Sequence, residues 1–477
     1  MTTRTIAQNA KAEPTAAVAH LSVAERVARG KAARKEVPRA GHALFEPLST
    51  RADPVELLER QAKTRVPELV PIRYGRMLVS PFAFYRGAAM IMAHDLAATP
   101  RSGLTVQCCG DAHLSNFGVF ASPERALVFD VNDFDETLPG PWEWDVKRLA
   151  VSMLIAARDN GFDAKELDRI VLDTVGRYRT AMAQFAGMKQ LEVWYARLDV
   201  DSALQEYASQ FKPKLVKRTE KGLAKARTKD SMTAFSKLTH VVDGKVRIVD
   251  ESPLIVPIDQ LAAGRELDEV VEGLHQLLRD YRQTLEFDRR VLLEQFDLTD
   301  LAHKVVGVGS VGTSCWVLLL MAGGAEPLIL QVKEARASVL EAYAGKSVCA
   351  NHGERVVNGH RLMQPASDIF LGWTVGARGR HFYIRQLRDV KIKFAVETFG
   401  TSEMTHFAQW CGWSLALSHA RSGDPAVISG YLGKSDAFDV AIAVFSVAYA
   451  DQNEKDHAAV QRAIRDGQIE ADVEGPK

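Results

Sequence analysis

Long hydrophobic runs are missing from this chain. No apolar stretch among its 477 residues reaches the length that a membrane-spanning helix needs. The first 20 residues also lack the compact hydrophobic core of a secretory signal. The formal net charge is zero at pH 7, so the basic excess that attracts nucleic acids or anionic membranes is absent. We therefore expect a cytoplasmic protein with neither a nucleic-acid nor a membrane partner.

Cysteine is scarce, and several familiar motifs are absent. The five cysteines include no C-x-x-C pair, which argues against the common zinc and redox motifs and against a disulfide framework. Gly-Lys-Ser occurs at 345–347 and 433–435, but neither copy has the first glycine of a P-loop. None of the 13 histidines forms a His-x-His pair, which a binuclear metal site typically needs.

What the chain does contain suits a large globular protein. Apolar residues make up 47% and charged residues 25% of the sequence, as in ordinary soluble domains. At 477 residues, the chain exceeds the size at which a single hydrophobic core stops growing. We therefore expect at least two lobes.

The most informative phrase is Cys-Gly-Asp-Ala-His-Leu-Ser-Asn at 109–116. A second carboxylate cluster follows at 130–135, directly after the strand-like run 127–129. Magnesium takes oxygen ligands, commonly one or two carboxylates together with phosphate oxygens and water. A carboxylate that is not bound to metal can deprotonate an attacking hydroxyl. The pattern therefore indicates phosphoryl-transfer chemistry that depends on magnesium.

Each polar residue of the two segments has a predicted role. Asp111 is the candidate catalytic base, and His113 either contacts phosphate or fixes the loop through a hydrogen bond. Asn116 and Asp133 are the candidate magnesium ligands. The metal role of Asp133 has two competitors, Asp130 and Asp135.

A glycine-rich segment lies much later, at 307–312. Two strand-like runs follow it, joined by a turn, and the second ends at Lys333. Glycine lets the backbone approach phosphates closely, and a lysine at the end of such a hairpin can reach the α- and β-phosphates. A Rossmann turn would need a helix after the glycines, so a kinase-type nucleotide site is favoured. Its predicted nucleotide-binding residues are Gly307, Gly309, Gly312 and Lys333.

A lysine of this kind usually pairs with a glutamate on a following helix. The sequence offers Glu341, close behind Lys333, and Glu354. Residues 352–363 form the better amphipathic helix, so we expect Glu354 to be the partner.

These phrases resemble the protein-kinase-like superfamily, in particular the aminoglycoside and choline phosphotransferases. The run from Asp111 to Asn116 resembles their His-Gly-Asp-x-His-x-x-Asn catalytic loop, Asp133-Phe134 their metal-binding Asp, and Trp144 to Ala150 the start of their next helix. The resemblance implies ATP and Mg²⁺ as cofactors and transfer of phosphate to a hydroxyl of a small molecule or protein. Cys109 stands where that loop usually has His. The nucleotide-binding elements also follow the catalytic loop, which implies a circular permutation.

Over nearly its whole length, roughly residues 39–469, the chain resembles a bacterial family called domain of unknown function 2252. That name carries no established activity. The shared phrases are SPFAFYRG (80–87), GDAHLSNFG (110–118), NDFDET (132–137), GERVV (353–357), YIRQLRD (383–389) and YADQ (449–452).

The expected architecture is α+β, a two-lobed and circularly permuted kinase-like fold. Its predicted parts are a disordered or loosely helical tail (1–38), a larger helical catalytic lobe (39–300), a small β-rich nucleotide lobe (301–390) and C-terminal helices packing on the catalytic lobe (391–477). We expect Asp145 to hold the catalytic loop through backbone hydrogen bonds and to cap its own helix.

Other functions stay open at the level of sequence. AMP transfer uses similar parts, and a catalytically inactive kinase-like nucleotide-binding module would keep the same fold. A binuclear metallophosphoesterase is the alternative from another class, because Asp111-Ala-His113 and Asn351-His352 imitate two of its motifs. The acceptor substrate and the oligomeric state are not predicted.

Overall fold

The computed structural model describes residues 21–207, 221, 223–224, 231–261, 265–305, 311–324, 326–387, 391–392 and 394–472. Residues 1–20 of the predicted tail, together with Gly307 and Gly309, lie outside the described residues.

Helices dominate the described part of the chain, and several begin at a residue suited to that position. Ser22 and Glu25 form a capping box at the first helix, and Asp53 caps the second, which starts with proline. The helices are α1 (Val23–Glu36), α2 (Pro54–Ala62), α3 (Val70–Leu78), α4 (Pro81–Gly87), α5 (Ala89–Leu96), α6 (Trp142–Asp159), α7 (Ala164–Ala186), α8 (Gln190–Tyr195), α9 (Val200–Tyr207), α10 (Ser231–Leu238), α11 (Ile258–Leu261), α12 (Arg265–Arg282), α13 (Phe287–Leu293), α14 (Glu341–Ala344), α15 (His352–Met363), α16 (Thr401–Ser422), α17 (Pro425–Leu432) and α18 (Ala437–Arg465).

The strands form antiparallel pairs throughout the described residues. The largest sheet has the order β12-β13-β11-β10-β9-β8, and a four-stranded sheet has the order β14-β2-β3-β5. Two smaller pairs are β1-β4 and β6-β7. The strands are β1 (Thr105–Cys108), β2 (Phe117–Ala121), β3 (Leu127–Val131), β4 (Leu138–Pro141), β5 (Leu198–Asp199), β6 (Thr239–Val242), β7 (Lys245–Ile248), β8 (Ile255–Pro257), β9 (Asp297–Lys304), β10 (Cys315–Ala322), β11 (Glu326–Ala335), β12 (Gly372–Val375), β13 (His381–Gln386) and β14 (Lys391–Ile392).

The largest hydrophobic core surrounds α6. Nearly every residue of this helix from Trp142 to Ala157 is buried, because α7, α16 and α18 pack around it together with the smaller sheets. The helices α6 and α16 pack against β1, the strand that leads into the segment carrying Asp111. Side chains of the C-terminal helices α16, α17 and α18 belong to this core.

A second core is built on the six-stranded sheet. Side chains alternate along a strand, so Leu318 and Leu320 of β10 face α12 and α13, while Val317 and Leu319 face the hairpin β6-β7. Both faces of the sheet are thus covered by residues that precede β9 in sequence. The segment 231–296 packs on the sheet, so the division between the two cores falls earlier than the predicted residue 300.

The α+β class is confirmed, since the described residues combine long helices with sheets whose paired strands are antiparallel. The helical half of the predicted tail is present as α1, whose Gly30 packs directly on the backbone of α17 at Val427. Among the described residues, no helix has both the length and the apolar composition needed to cross a bilayer.

Candidate functional site

The loop 109–116 is held in place by Asp145, in the first turn of α6. Its carboxylate accepts hydrogen bonds from the backbone N–H of Cys109 at 2.7 Å and of Gly110 at 3.0 Å. His419 of α16 approaches the same carboxylate, with Nε2 3.2 Å from Oδ2. The predicted loop-holding role of Asp145 is therefore confirmed, although α6 has no side-chain cap.

Gly110 lets the loop turn sharply before Asp111. Its φ is +82°, and a Cβ atom here would lie 2.2 Å from the backbone oxygen of Glu136. Only glycine combines that backbone conformation with such a close approach. The catalytic loop is thereby packed directly against the carboxylate segment that follows β3.

Asp111 lies at the edge of the large core, with 19% of its side chain exposed. Arg148 of α6 donates to its Oδ1 from Nε at 2.9 Å and approaches the same oxygen with Nη2 at 2.8 Å. Burial raises the pKa of Asp111 to about 6, although Arg148 acts in the opposite direction. A carboxylate with a pKa in this range is suited to accept a proton near neutral pH.

His113 is buried beside Asp111 and lines the same loop. Its Nε2 lies 3.8 Å from Asp111 Oδ2, too far for a direct hydrogen bond. The next residue is fixed by α6, because Leu114 N–H donates to Ser152 Oγ at 2.9 Å.

Asn116 lies at the base of the hairpin β2-β3, close in space to the residue before Asp133. The backbone N–H of Asn132 donates to the Asn116 carbonyl at 2.7 Å, which brings Asn116 next to the residue before Asp133. The Asn116 side chain also donates to the Asp111 carbonyl at 2.8 Å. One amide oxygen and one carboxylate suit Mg²⁺. The described residues contain no cluster of three or more His, Cys, Asp or Glu able to hold a metal, so substrate phosphates would have to supply further ligands.

Asp130, one competitor for the metal role, is buried within β3. Its Oδ1 accepts from the neighbouring Val131 N–H at 2.7 Å. Burial raises its pKa to about 8, so this carboxyl is largely protonated at neutral pH. It therefore does not suit the binding of a hard cation.

Lys333 lies in β11, at the edge of the second core that faces the catalytic loop. Its ammonium group pairs with the carboxylate of Asp135 and lies 4.0 Å from Asp133 Oδ2. Tyr383 of β13 donates to the other oxygen of Asp135 at 2.8 Å. Lys333 and Asp135 are 198 positions apart in sequence. The fold thus brings the predicted phosphate anchor directly to the predicted metal-binding segment.

The predicted pair between Lys333 and Glu354 is not among the ion pairs of the described residues. Lys333 turns to the aspartates instead, because β11 faces the end of β3. The other candidate, Glu341, lies 3.6 Å from Lys346 and 3.7 Å from His352. Neither glutamate therefore serves as the lysine partner here.

The helix expected at 352–363 is present as α15. Its residue Arg355 contacts the carboxylate segment after β3. The guanidinium donates to the backbone oxygens of Thr137, of Asp135 at 2.8 Å and of Arg336 at 2.7 Å. Arg355 thereby ties the carboxylate segment after β3 to the chain that leaves β11.

Gly312 ends the glycine-rich segment, with φ +85°. Its carbonyl accepts from the Val66 N–H at 2.8 Å, and Arg65 packs against it. Two residues later the chain is tied to β11, since Ser314 N–H donates to Glu334 at 3.0 Å. Gly312 is thus held by Arg65 and Val66, which follow α2, and it lies near β11, the strand of Lys333.

Two further arginines lie near these carboxylates. Arg385 of β13 donates to Gln331 at 3.1 Å, and the nearby Asp133 and Asp135 help to raise its pKa. Arg86, at the end of α4, is close enough to Asp111 for that carboxylate to influence its pKa.

The Asn351-His352 motif serves the local structure of α15. Asn351 caps the helix by accepting from the Gly353 N–H at 2.7 Å. His352 lies near Glu341 and packs against His381 with the rings tilted by 57° and their centroids 5.3 Å apart. This use of the motif gives the metallophosphoesterase alternative no support.

A family model described as "Uncharacterized protein conserved in bacteria (DUF2252)" matches residues 65–463. The chain belongs to this family. No curated protein and no solved structure matches the chain. The part that matches DUF2252 contains the catalytic loop, the carboxylate segment, Lys333 and α15. The contacts described above are thus contacts within the DUF2252 domain.

Proposed function

We propose that this DUF2252 protein is a phosphotransferase that uses Mg-ATP and acts on a hydroxyl of a small molecule or protein. One observation carries the proposal. The buried Lys333 of the sheet lies against Asp133 and Asp135, which are distant from it in sequence. Beside them is the loop that holds Asp111, whose pKa is about 6. Phosphoryl transfer needs these groups within reach of one triphosphate.

A circularly permuted kinase-like arrangement accounts for the order of the parts. The sheet carrying Lys333 is antiparallel, and α15 follows the lysine strand and packs between the sheet and the larger core. In kinases the corresponding lysine pairs with a glutamate of the next helix. Here Asp135 takes that place and α15 contributes Arg355 instead.

Each residue has a defined part in the proposed reaction. Lys333 exchanges its contact with Asp135 for the α- and β-phosphates of ATP. Asn116 and Asp133 would hold Mg²⁺, which neutralises charge on the phosphates when bound. Asp111 accepts the proton of the acceptor hydroxyl while the new O–P bond forms and the bond from Pγ to ADP breaks. His113 orients the loop beside Asp111.

Transfer of AMP would use the same binding groups, and a binding module without catalysis would keep them too. A catalytic role for Asp111 is supported by its raised pKa, because shifted carboxyl groups are common among catalytic acids and bases.

Nucleotide binding is the first test. Mg-ATP should raise the melting temperature, and EDTA should remove most of the shift because the phosphate contacts are bridged by metal. A ligand at a hundredfold excess over its Kd stabilises the folded state by about 2.7 kcal/mol. Folded protein that shows no shift at millimolar Mg-ATP contradicts the proposal.

Two variants sharpen this test. Lys333→Met should weaken the Mg-ATP shift, whereas Lys346→Met, at a position with 82% of its side chain exposed, should leave it unchanged. ATP labelled at the γ- or the α-phosphate, incubated with a metabolite extract, then separates phosphoryl transfer from AMP transfer. Hydrolysis of phosphoesters without ATP, driven by manganese, would instead favour the metallophosphoesterase.

A further inference from the structure

Arg86 follows Tyr85, which contacts the arginine that holds Asp111. Tyr85 accepts a hydrogen bond from Arg148 Nη2 through its backbone oxygen at 2.7 Å, and its ring lies 3.8 Å from the Arg148 guanidinium carbon. Arg148 in turn binds Asp111. The backbone of Arg86 is therefore attached to the group that holds Asp111 in place.

The other cations around the loop are already neutralised by protein groups. Arg148 donates to Asp111, and Lys333 is paired with Asp135. Among the described residues, no ion pair or hydrogen bond involves Arg86, and its Nε is buried without a partner. Asp111 and the exposed Glu397 attract it from beyond ion-pair distance and offset only part of the effect of burial, which lowers its pKa.

A partly buried arginine that lacks a counterion favours the binding of an anion. The guanidinium stays charged in proteins and presents a planar fork of donors. Leaving that charge without a counterion costs free energy, and a carboxylate or phosphate binds the fork in two parallel hydrogen bonds. A ligand carrying such a group would be drawn to the Asp111 end of the cleft.

We propose that the phosphoryl acceptor is an anionic alcohol, a hydroxy acid or a phosphorylated alcohol, whose charged group is bound by Arg86. The inference rests on the proposed function, which sets the acceptor hydroxyl against Asp111. Arg385 is not the residue for this task, because its guanidinium contacts Gln331 and is attracted by Asp133 and Asp135 at the nucleotide end. Arg86 thus selects the acceptor, while Lys333 and Arg385 serve the nucleotide.

Matched pairs of acid and alcohol test the proposal. Binding of D-glycerate and glycerol, and of gluconate and glucose, is measured by calorimetry with Mg-ADP present. Each acid should bind about 10- to 100-fold more tightly than its neutral partner, as expected for a hydrogen-bonded charge pair. Arg86→Gln should abolish this preference, and Arg86→Lys should keep part of it. Arg169→Gln, at a position with 71% of its side chain exposed, is the matched control and should bind like wild type.

The outcomes separate this inference from the proposed function. Equal affinity for acids and alcohols, or unchanged acid binding in Arg86→Gln, overturns the role of Arg86 even where Mg-ATP binds. A preserved preference for acids without any Mg-ATP shift refutes the phosphotransferase and leaves an anion site at Arg86. The Mg-ATP shift and the circular dichroism of Arg86→Gln show that the variant is folded. A lower kcat with unchanged acceptor KM would instead assign Arg86 to the transferred phosphate and overturn the proposal.

Discussion

At the scale of single residues, Asp111 sets the expected pH dependence. Its pKa is about 6, raised by burial, and a base must be deprotonated to accept a proton. Activity should therefore rise with pH through about 6 and level off above 7. Asp111→Asn should lower kcat by about 10²- to 10⁴-fold and remove this rise, while Mg-ATP still binds. A pH–rate profile of both proteins measures the effect, and full activity of the variant would exclude Asp111 as the base.

Arg148 should matter for stability as well as for Asp111. Its guanidinium is buried, so Arg148→Met leaves a nearly buried carboxylate without its partner. Breaking such a pair costs about 3–5 kcal/mol, which urea unfolding can measure. The matched control is Arg158→Met, since Arg158 of the same helix pairs with exposed acids. That change should cost about 0–1 kcal/mol. Equal losses would show that the pair with Asp111 contributes little.

The sequence indicated which residues form the loop 109–116 better than it indicated the residues that bind them. Asp145 was predicted from its place at the start of a helix, and it binds the backbone of Cys109 and Gly110, which lie 36 and 35 positions before it. The pairing of Lys333 with Asp135 could not be predicted in the same way, because 198 positions separate the two residues. Arg148 lies one helical turn after Asp145, within the run 144–150 that resembles the start of a kinase helix. That spacing was the sequence signal that could have identified Arg148 as a partner of the loop.

At the scale of elements, the contact between the catalytic loop and the segment after β3 depends on Gly110. Gly161 offers a control with a similar φ of +77° and nothing within 4 Å of an added Cβ. Gly161→Ala should cost about 1–2 kcal/mol, the penalty for a left-handed backbone. Gly110→Ala should cost more and should also reduce activity, because its Cβ meets the backbone of Glu136. Thermal unfolding and kcat of both variants test this, and similar losses would show that the close approach is unimportant.

Elements with a strong local pattern were predicted well. α15 has the expected bounds of 352–363. Asp-Gly is a typical sequence for a hairpin turn, and the pair at 243–244 lies between β6 and β7 with φ of +49° and +72°. The division between the cores was harder to predict, because the amphipathic pattern of α12 shows that one face is buried without showing which core buries it.

At the scale of the whole molecule, the site joins two hydrophobic cores. Asp133 and Asp135 belong to the segment on the larger core, and Lys333 and Tyr383 belong to the sheet. Mg-ATP should therefore slow hydrogen exchange in residues 105–137 and 311–335 together, because bound ligand reduces opening on both sides. Mass spectrometry with and without EDTA measures this. Protection confined to one of the two segments would contradict a shared site.

The contact between His419 and Asp145 also bears on how the protein is made. The two residues are 274 positions apart, and bacterial-type synthesis at about 5–20 residues per second separates their appearance by roughly 15–55 s. During that interval the nascent chain has the catalytic loop and α6 but not the helix that packs behind them. Apolar faces of α6 and α7 are then exposed on the ribosome. Newly made chains are therefore expected to depend on chaperones, and C-terminal truncations before α16 are expected to aggregate rather than to yield a smaller folded protein.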